Sequence, residues 1–277
     1  MDNRLVTFAA FADDPNLSRT AKRLHLSQPA VHAQLRGLGE DLGVTLYRRS
    51  GRGLVLTPEG VEVAAFAREE AMRLKELRSR LVGGTDASPV IVAAGAGAIV
   101  HLLAPALRRA KRPIEVITAD ASQALDLVRS GRAHIGVGVF PSPPSDLDVT
   151  KLADAEQILV VRRGDPLARK RHVTLGDLAT RDLIAPPEGG PQRAALATAL
   201  ASAGMPDVHI AAVARGWDVV LRLVEVGVGV GIVNATCLLP RTLVGKPLRE
   251  LPRVTYFAFT RPRPRDSVLG VLRALAT

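Results

Sequence analysis

The stretch from Asn16 to Pro58 reads NLSRTAKRLHLSQPAVHAQLRGLGEDLGVTLYRRSGRGLVLTP, and its reading decides the fold. It divides into a helix over Leu17–Leu24, a turn at His25 and Leu26, a second helix and a short β-hairpin. Ser27 is the expected N-cap of the second helix, because its hydroxyl can accept an orphan amide. Pro29 falls in the first turn, where its missing N–H costs nothing. Val31, Leu35, Leu38 and Leu42 recur at helical spacing and predict one buried stripe. The opposite side is then centred on Pro29, Ala33 and Arg36, flanked by His32, with Gln28 at the N-terminal end. Small side chains there permit close backbone approach. Gln28 can read an adenine edge and Arg36 can pair with a phosphate. Such a face suits a helix entering a major groove N-terminus first. The plainer alternative is an αα-hairpin whose polar side meets only water.

The segment after the second helix shifts the balance. Leu46 to Leu56 (LYRRSGRGLVL) sets a Ser-Gly turn between two β-prone runs, with Arg48, Arg49 and Arg52 close together. A basic hairpin beside a recognition helix is a wing, suited to phosphates or to a narrow minor groove.

The order Ala21, Leu24, Ser27-Gln28-Pro29-Ala30-Val31, then Leu35, Leu38, Leu42-Gly43, Leu46-Tyr47, Arg49, then Leu56-Thr57-Pro58-Glu59-Gly60 resembles the winged helix-turn-helix of LysR-type transcriptional regulators. The chain departs from that pattern at His32, where the family usually has Ser, at Ala33, often basic, and at Gly39, commonly Glu. These departures bear on operator sequence and affinity. Gly37 and Gly39 also weaken the helix, by roughly 1 kcal/mol each against Ala.

Composition sets bounds. A chain of 277 residues fits two or three domains, and 47% hydrophobic with 23% charged residues can build real cores. Aromatics at 3% disfavour stacking on single-stranded nucleic acid. The net charge is +10, yet residues 1–60 hold 8 Lys and Arg against 6 Asp and Glu. Basicity is therefore concentrated after the helix-turn-helix, where it suits an Arg-rich genome or an anionic ligand. Local placement of arginines, not total charge, points to DNA. The single cysteine, Cys237, excludes an intramolecular disulfide and a Cys-based zinc site and suits a reducing cytoplasm. Its apolar surroundings (GIVNATCLLP) favour packing over redox sensing. Asp13 and Asp14 interrupt the N-terminus before an export signal could form. Pro89–Leu107 is uncharged and of spanning length, but Gly95, Gly97, His101 and Pro105 make it a buried strand, a turn and a helix. A cytoplasmic protein with no membrane partner is expected.

Along the chain, Asn3–Ala12 predicts an amphipathic helix with Leu5, Phe8, Ala9 and Ala12 covering the helix-turn-helix. Thr57-Pro58-Glu59 starts another helix, with a cap, Pro at N1 and an acid in the first turn. It is expected to run to about Val82, where Gly83-Gly84 ends it. Val63, Phe66, Leu74, Leu77 and Leu81 lie on one line at alternating spacings of three and four, with Glu70 in the missing place. That is a coiled-coil seam, in which one polar residue can fix register. The resemblance agrees, since in this family the linker helix pairs two subunits. Thr85–Ser88 is a linker. Strands at 90–94, 114–119 and 134–139, alternating with helices at 99–110 and 123–130, then predict a parallel βαβαβ sheet. After a break at Pro141–Asp146, strands at 158–161, 183–185, 208–211 and 231–233 alternate with helices at 192–203 and 218–226. A strand at 254–259 and a helix at 267–276 close the chain.

The fold class is thus α/β: a winged helix-turn-helix (1–58), a linker and dimerisation helix (59–84) and a two-lobed domain (88–277). Lobe I comprises 88–161 and 254–277, and lobe II 162–253. By resemblance, the last is the effector domain of LysR-type regulators, shaped like a periplasmic solute-binding protein. In open α/β sheets, ligands bind where strands end and helix N-termini offer free amides. Those places here are Ala96-Gly97-Ala98, Ala121-Ser122-Gln123, the segment from Pro187 through Gly190 to Arg193, and Arg215-Gly216-Trp217-Asp218. The resemblance puts the effector among them, usually against a Ser or Thr in the first, which Gly97 and Ala98 do not supply. Ser122, Arg193, Arg215 and Trp217 are candidate contacts. Gly95-Ala96-Gly97 lacks the third glycine of a dinucleotide fingerprint, and Gly227 to Gly231 lacks the Lys of a phosphate loop. No cofactor, metal or catalytic residue is expected, and His101 and His134 read as packed or surface residues. The resemblance implies a homodimer or homotetramer on a dyad-symmetric site in double-stranded DNA, answering to a small metabolite, an anionic one being among the candidates. A solute carrier and an NAD(P)-dependent enzyme are the rival readings.

Overall fold

The computed structural model describes all residues other than 1, 52, 82–87, 111, 190, 206 and 277. The N-terminal unit consists of α1 (Asn3–Asp13), α2 (Leu17–Leu24), α3 (Gln28–Leu42), β1 (Tyr47–Ser50) and β2 (Gly53–Leu56). Each helix start carries a side-chain acceptor. Asn16 takes the N–H of Arg19 at 3.0 Å and Ser27 that of Ala30 at 3.2 Å, which satisfies donors left over in a first turn. His25 takes the left-handed conformation (φ 55°) that turns α2 into α3.

Phe8, Phe11, Ala21, Val31, Leu35, Leu38 and Leu46 form the core of this unit. Two expectations shift. Leu42 is 49% exposed and does not complete the α3 stripe. The helix ends at Gly43 (φ 68°), the Val44 N–H returns to the Gly39 carbonyl, and Leu46 fills the core instead. In α1 the buried face is Thr7, Phe8, Ala10 and Phe11, with Leu5, Ala9 and Ala12 only partly covered. Phe11 meets the Tyr47 ring at 4.9 Å, so the two rings set the rotation of the helix.

Thr57 begins α4 (Pro58–Leu81): its hydroxyl accepts from the Gly60 N–H at 3.0 Å and donates to the Thr45 carbonyl at 2.6 Å. A Cβ at Gly60 would lie 1.9 Å from the Leu46 carbonyl oxygen, so the Thr-Pro-Glu-Gly run locks wing to linker only with glycine in last place. The helix end expected at Gly83-Gly84 and most of the 85–88 linker lie outside the described residues.

The chain continues through β3 (Val90–Ala94), α5 (Ala96–Ala98), a π-helical turn (Ile99–Leu103), α6 (Ala104–Arg109), β4 (Ile114–Thr118), α7 (Ala121–Arg129), β5 (Ile135–Val139) and β6 (Asp148–Ala155). Then come β7 (Gln157–Arg162), α8 (Pro166–Arg169), β8 (Leu183–Ala185), α9 (Pro191–Ser202), β9 (Ile210–Val213), α10 (Trp217–Glu225), β10 (Val230–Asn234), β11 (Leu243–Pro247), β12 (Val254–Thr260) and α11 (Asp266–Leu275). Two five-stranded sheets result, ordered β4-β3-β5-β12-β6 and β11-β7-β10-β8-β9. β3, β4 and β5 pair in parallel, as the alternation predicts, while β12 returns antiparallel beside β5.

One lobe boundary needs correction. β7 pairs antiparallel with β10 and β11, so the strand expected at 158–161 belongs to lobe II. The first crossing therefore falls near Glu156, between β6 and β7. Lobe I also docks on α4. Arg68 donates to the Ser130 carbonyl at 2.5 Å while pairing with Asp13 of α1 at 2.7 Å, and Arg73 donates to the Arg263 carbonyl at 2.6 Å.

Candidate functional site

α3 lies across the N-terminal unit with Val31, Leu35 and Leu38 buried. That leaves Gln28, Pro29, His32, Ala33 and Arg36 exposed on the other side, uncovered by the rest of the chain. Ser18 donates to Gln28 Oε1 at 3.1 Å, so α2 orients the amide of the first helical residue. Arg36 Nε donates to Glu40 Oε1 at 2.7 Å. In the wing, Arg48 stands opposite Val55 and Arg49 opposite Leu54. Successive strand side chains point to opposite faces, so these two exposed arginines leave the hairpin on different sides. Arg52 lies outside the described residues.

The seam expected on α4 is distinct from the face that lobe I covers. Ala64, Ala65 and Ala67 are buried, whereas Phe66 is 50%, Leu77 44% and Leu81 76% exposed. Val63, Glu70 and Leu74 are half-buried. An apolar row left at the surface of a long helix is the kind of surface that a second helix covers.

In the two-lobed part the structure brings together some candidates and separates others. Gly97, after β3, and Trp217, the first residue of α10, meet across the lobes: a Cβ at Gly97 would stand 2.9 Å from the indole Cδ2 and Cε3. Ala96 is exposed, and Ala98 is buried in the lobe I core, so it can offer a ligand only its backbone. Ser122 is exposed in the first turn of α7, and Arg215 is exposed just ahead of α10. Arg193 turns back to the Pro186 carbonyl at 3.4 Å, with Glu188 at 3.9 Å. Gly190 lies outside the described residues.

Sequence reading missed the groups that join the lobes. His101 Nδ1 accepts from the Leu238 N–H at 3.1 Å, which places the hydrogen of the neutral ring on Nε2, 3.3 Å from Asp218 Oδ1. The His101 ring also lies 5.5 Å from that of Trp217. Nearby, Asn234 Nδ2 donates to the Tyr256 hydroxyl at 2.5 Å, and burial pushes that phenol up to about 12. Cys237 is packed in the lobe II core, and burial together with Asp218 raises its thiol to about 12, far from the reactive thiolate range. The one available signal was the density of polar residues inside apolar runs. Among the described residues no cluster of His, Cys, Asp and Glu could hold a metal, and no helix is long and apolar enough to cross a membrane.

Known proteins resemble the chain over its whole length. Residues 3–61 match the bacterial regulatory helix-turn-helix protein, lysR family, and residues 85–277 match the LysR substrate binding domain. The HTH-type transcriptional regulator TfdS of Cupriavidus pinatubonensis is 31% identical over 83% of this chain and 80% of its own. The RuBisCO operon transcriptional regulator of Allochromatium vinosum is 24% identical over 98% and 93%. Among solved structures, full-length OxyR from Pseudomonas aeruginosa superposes with a TM-score of 0.71 at 21% identity, covering 99% of this chain and 92% of its own. CbnR in complex with its target DNA gives 0.61 at 23%, covering 99% and 97%. With the helix-turn-helix and the substrate binding domain both matched in order, this chain belongs to the LysR family of bacterial transcriptional regulators.

Proposed function

We propose that the protein is a ligand-responsive transcriptional regulator that binds a dyad-symmetric operator on double-stranded DNA as a homodimer or homotetramer. Residues 1–58 read DNA, 59–84 pair subunits and 88–277 sense a small metabolite between the lobes, which exchange near Glu156. The observation that carries this reading is the free face of α3: Gln28, Pro29, His32, Ala33 and Arg36 stay exposed although lobe I packs against the neighbouring linker. Gln28 and Arg36 serve base edge and phosphate respectively, and the wing arginines Arg48, Arg49 and Arg52 serve the backbone or minor groove. The seam from Val63 through Phe66, Glu70, Leu74 and Leu77 to Leu81 joins two copies. Ala96, Gly97, Ser122, Arg193, Arg215 and Trp217 line the effector cleft, with Ala98 contributing only backbone. The molecule works in the cytoplasm and performs no catalytic step.

The effector acts by preferring one of two quaternary arrangements, for which a coupling of about 1–3 kcal/mol is typical. Footprinting on DNA upstream of its own gene tests the reading. Protection by the wild type, lost in Gln28→Ala and weakening steeply as salt rises, supports it. No protected segment at low salt overturns it.

A further inference from the structure

The cleft between the lobes already holds a ring. Trp217 leaves lobe II at the first residue of α10 and lays its indole on the backbone of Gly97 in lobe I. A methyl group at Gly97 would be 2.9 Å from Cδ2 and Cε3 and 3.3 Å from Cγ, so only a residue without a side chain fits beneath the ring. The indole packs against the hydrophobic cores of both lobes at once. Its neighbour His101, tilted 33° to it, is held on the lobe II side by the Leu238 N–H, with Asp218 Oδ1 3.3 Å from its Nε2. Gly97 and His101 from one lobe, and Trp217, Asp218 and Leu238 from the other, thus form a single closed contact.

We propose that Trp217 is a built-in occupant of the effector cleft, and that the effector is a planar ring molecule of about indole size that displaces it. This rests on the reading of the cleft as the effector site, and adds the class of ligand and the step it triggers. When the indole leaves, the slot it vacates is bounded by the bare backbone at Gly97 and by the His101 ring, two flat surfaces that select a flat body. Displacement also gives the ligand something to act on. A ligand shifts an equilibrium between two lobe arrangements only by binding them unequally, and taking the place of Trp217 supplies such a difference, because the indole contact exists in one arrangement only. Exchange of one ring for another breaks the bond between the lobes that the indole makes. It also lowers the apparent affinity of the wild type, since the slot is open only part of the time.

Trp217 is the single tryptophan, so the full-length chain labelled with 5-fluorotryptophan gives one fluorine resonance that reports the slot. Gly97→Ala should drive the ring out, moving the resonance and the intrinsic emission toward those of a solvent-exposed indole. The melting temperature should fall. Adding Gly97→Ala to Trp217→Ala should cost little more, because the clash has gone. Free indole, used as the probe, should bind Trp217→Ala about tenfold more tightly than the wild type and raise its melting temperature. In the wild type, saturating indole should move the fluorine resonance in the same direction as Gly97→Ala. Should Trp217→Ala fail to fold, Trp217→Leu, which fills part of the slot, takes its place. An unmoved resonance in Gly97→Ala, additive losses in the double variant, or equal indole affinity with and without Trp217 would each overturn the proposal. None of these readouts needs DNA, so absence of operator binding overturns the regulator reading separately.

Discussion

Arg265 of lobe I, 3% exposed, donates from Nη1 to Glu76 Oε1 of α4 at 2.8 Å, and the Ser267 hydroxyl donates to the same oxygen. Glu69, one heptad before Glu76, approaches Arg265 Nε at 3.8 Å. The linker helix thus uses one face, marked by Glu69 and Glu76, to hold the effector lobe and leaves another, marked by Phe66 and Leu77, free. A charge pair this deep is held by the penalty of separating it rather than by a large net gain.

Removing one partner should therefore be expensive. Arg265→Ala leaves the Glu76 carboxylate covered and unpaired, for which a loss of about 3–5 kcal/mol is typical. Glu76→Gln in the same chain should recover part of it, so the two effects are strongly non-additive. Urea denaturation of the four proteins measures this directly. Equal midpoints for wild type and Arg265→Ala would show that the docking contributes nothing.

The same arginine sets a pH dependence. Burial, and then the charge of Arg265, push His134 down to about 4 from its ordinary 6.5. Its Nδ1 accepts the Ile91 N–H at 2.8 Å, and its Nε2 stands 2.7 Å from Arg265 Nη2. A folded value below the unfolded one means that the unfolded chain takes up the proton first as pH falls. The contribution is complete above pH 6.5, is lost between about 6.5 and 4, and levels off below; the full shift is worth about 3 kcal/mol at most. His134→Asn keeps an acceptor for Ile91 but cannot titrate. Its stability should fall less steeply than that of the wild type over this window, and parallel curves would refute the assignment.

Legibility in the sequence tracks the range of each interaction. The helix-turn-helix rests on caps, turns and contacts within a few dozen residues, so Ser27, His25 and the Thr57 start are where local chemistry puts them. Leu42 failed because a stripe projected along a helix does not know that the helix stops at Gly43. The missed strands, β6 and β11, are the edges of their sheets, each paired on one side only. Edge strands need no continuous apolar run, and DVTKLADA and LVGKP show none. Nor can spacing along the chain reveal that Gly97 meets Trp217, or that Arg265 reaches Glu76. Those contacts depend on how whole units dock, and no local pattern of residues records that docking.

The free face of α4 predicts assembly. Phe66 and Leu77 lie half in solvent in the single chain. Leu77→Glu would bring two like charges together in a paired helix and should shift a dimer toward monomer in light scattering at micromolar concentration. Glu70→Leu, which completes the apolar row, should do the reverse. Unchanged mass for both variants would place the subunit contact elsewhere.

Arg36 offers the sharpest test of DNA contact. In the free protein it pairs with Glu40 one turn along α3, at 2.7 Å, with both side chains well exposed. Exposed pairs of this kind contribute little to stability, so a phosphate can replace the carboxylate readily. Glu40 then acts as a competitor: it occupies the guanidinium and repels the DNA backbone. Glu40→Gln should strengthen operator binding, while Arg36→Ala should weaken it almost uniformly across sequences and reduce the slope of log K against log salt by about one. Gln28→Ala should instead relax discrimination at one base pair and leave the slope unchanged. Anisotropy titrations over a range of salt separate the two behaviours. An unchanged slope in Arg36→Ala would mean that this arginine meets no phosphate, and that α3 approaches DNA by a different face.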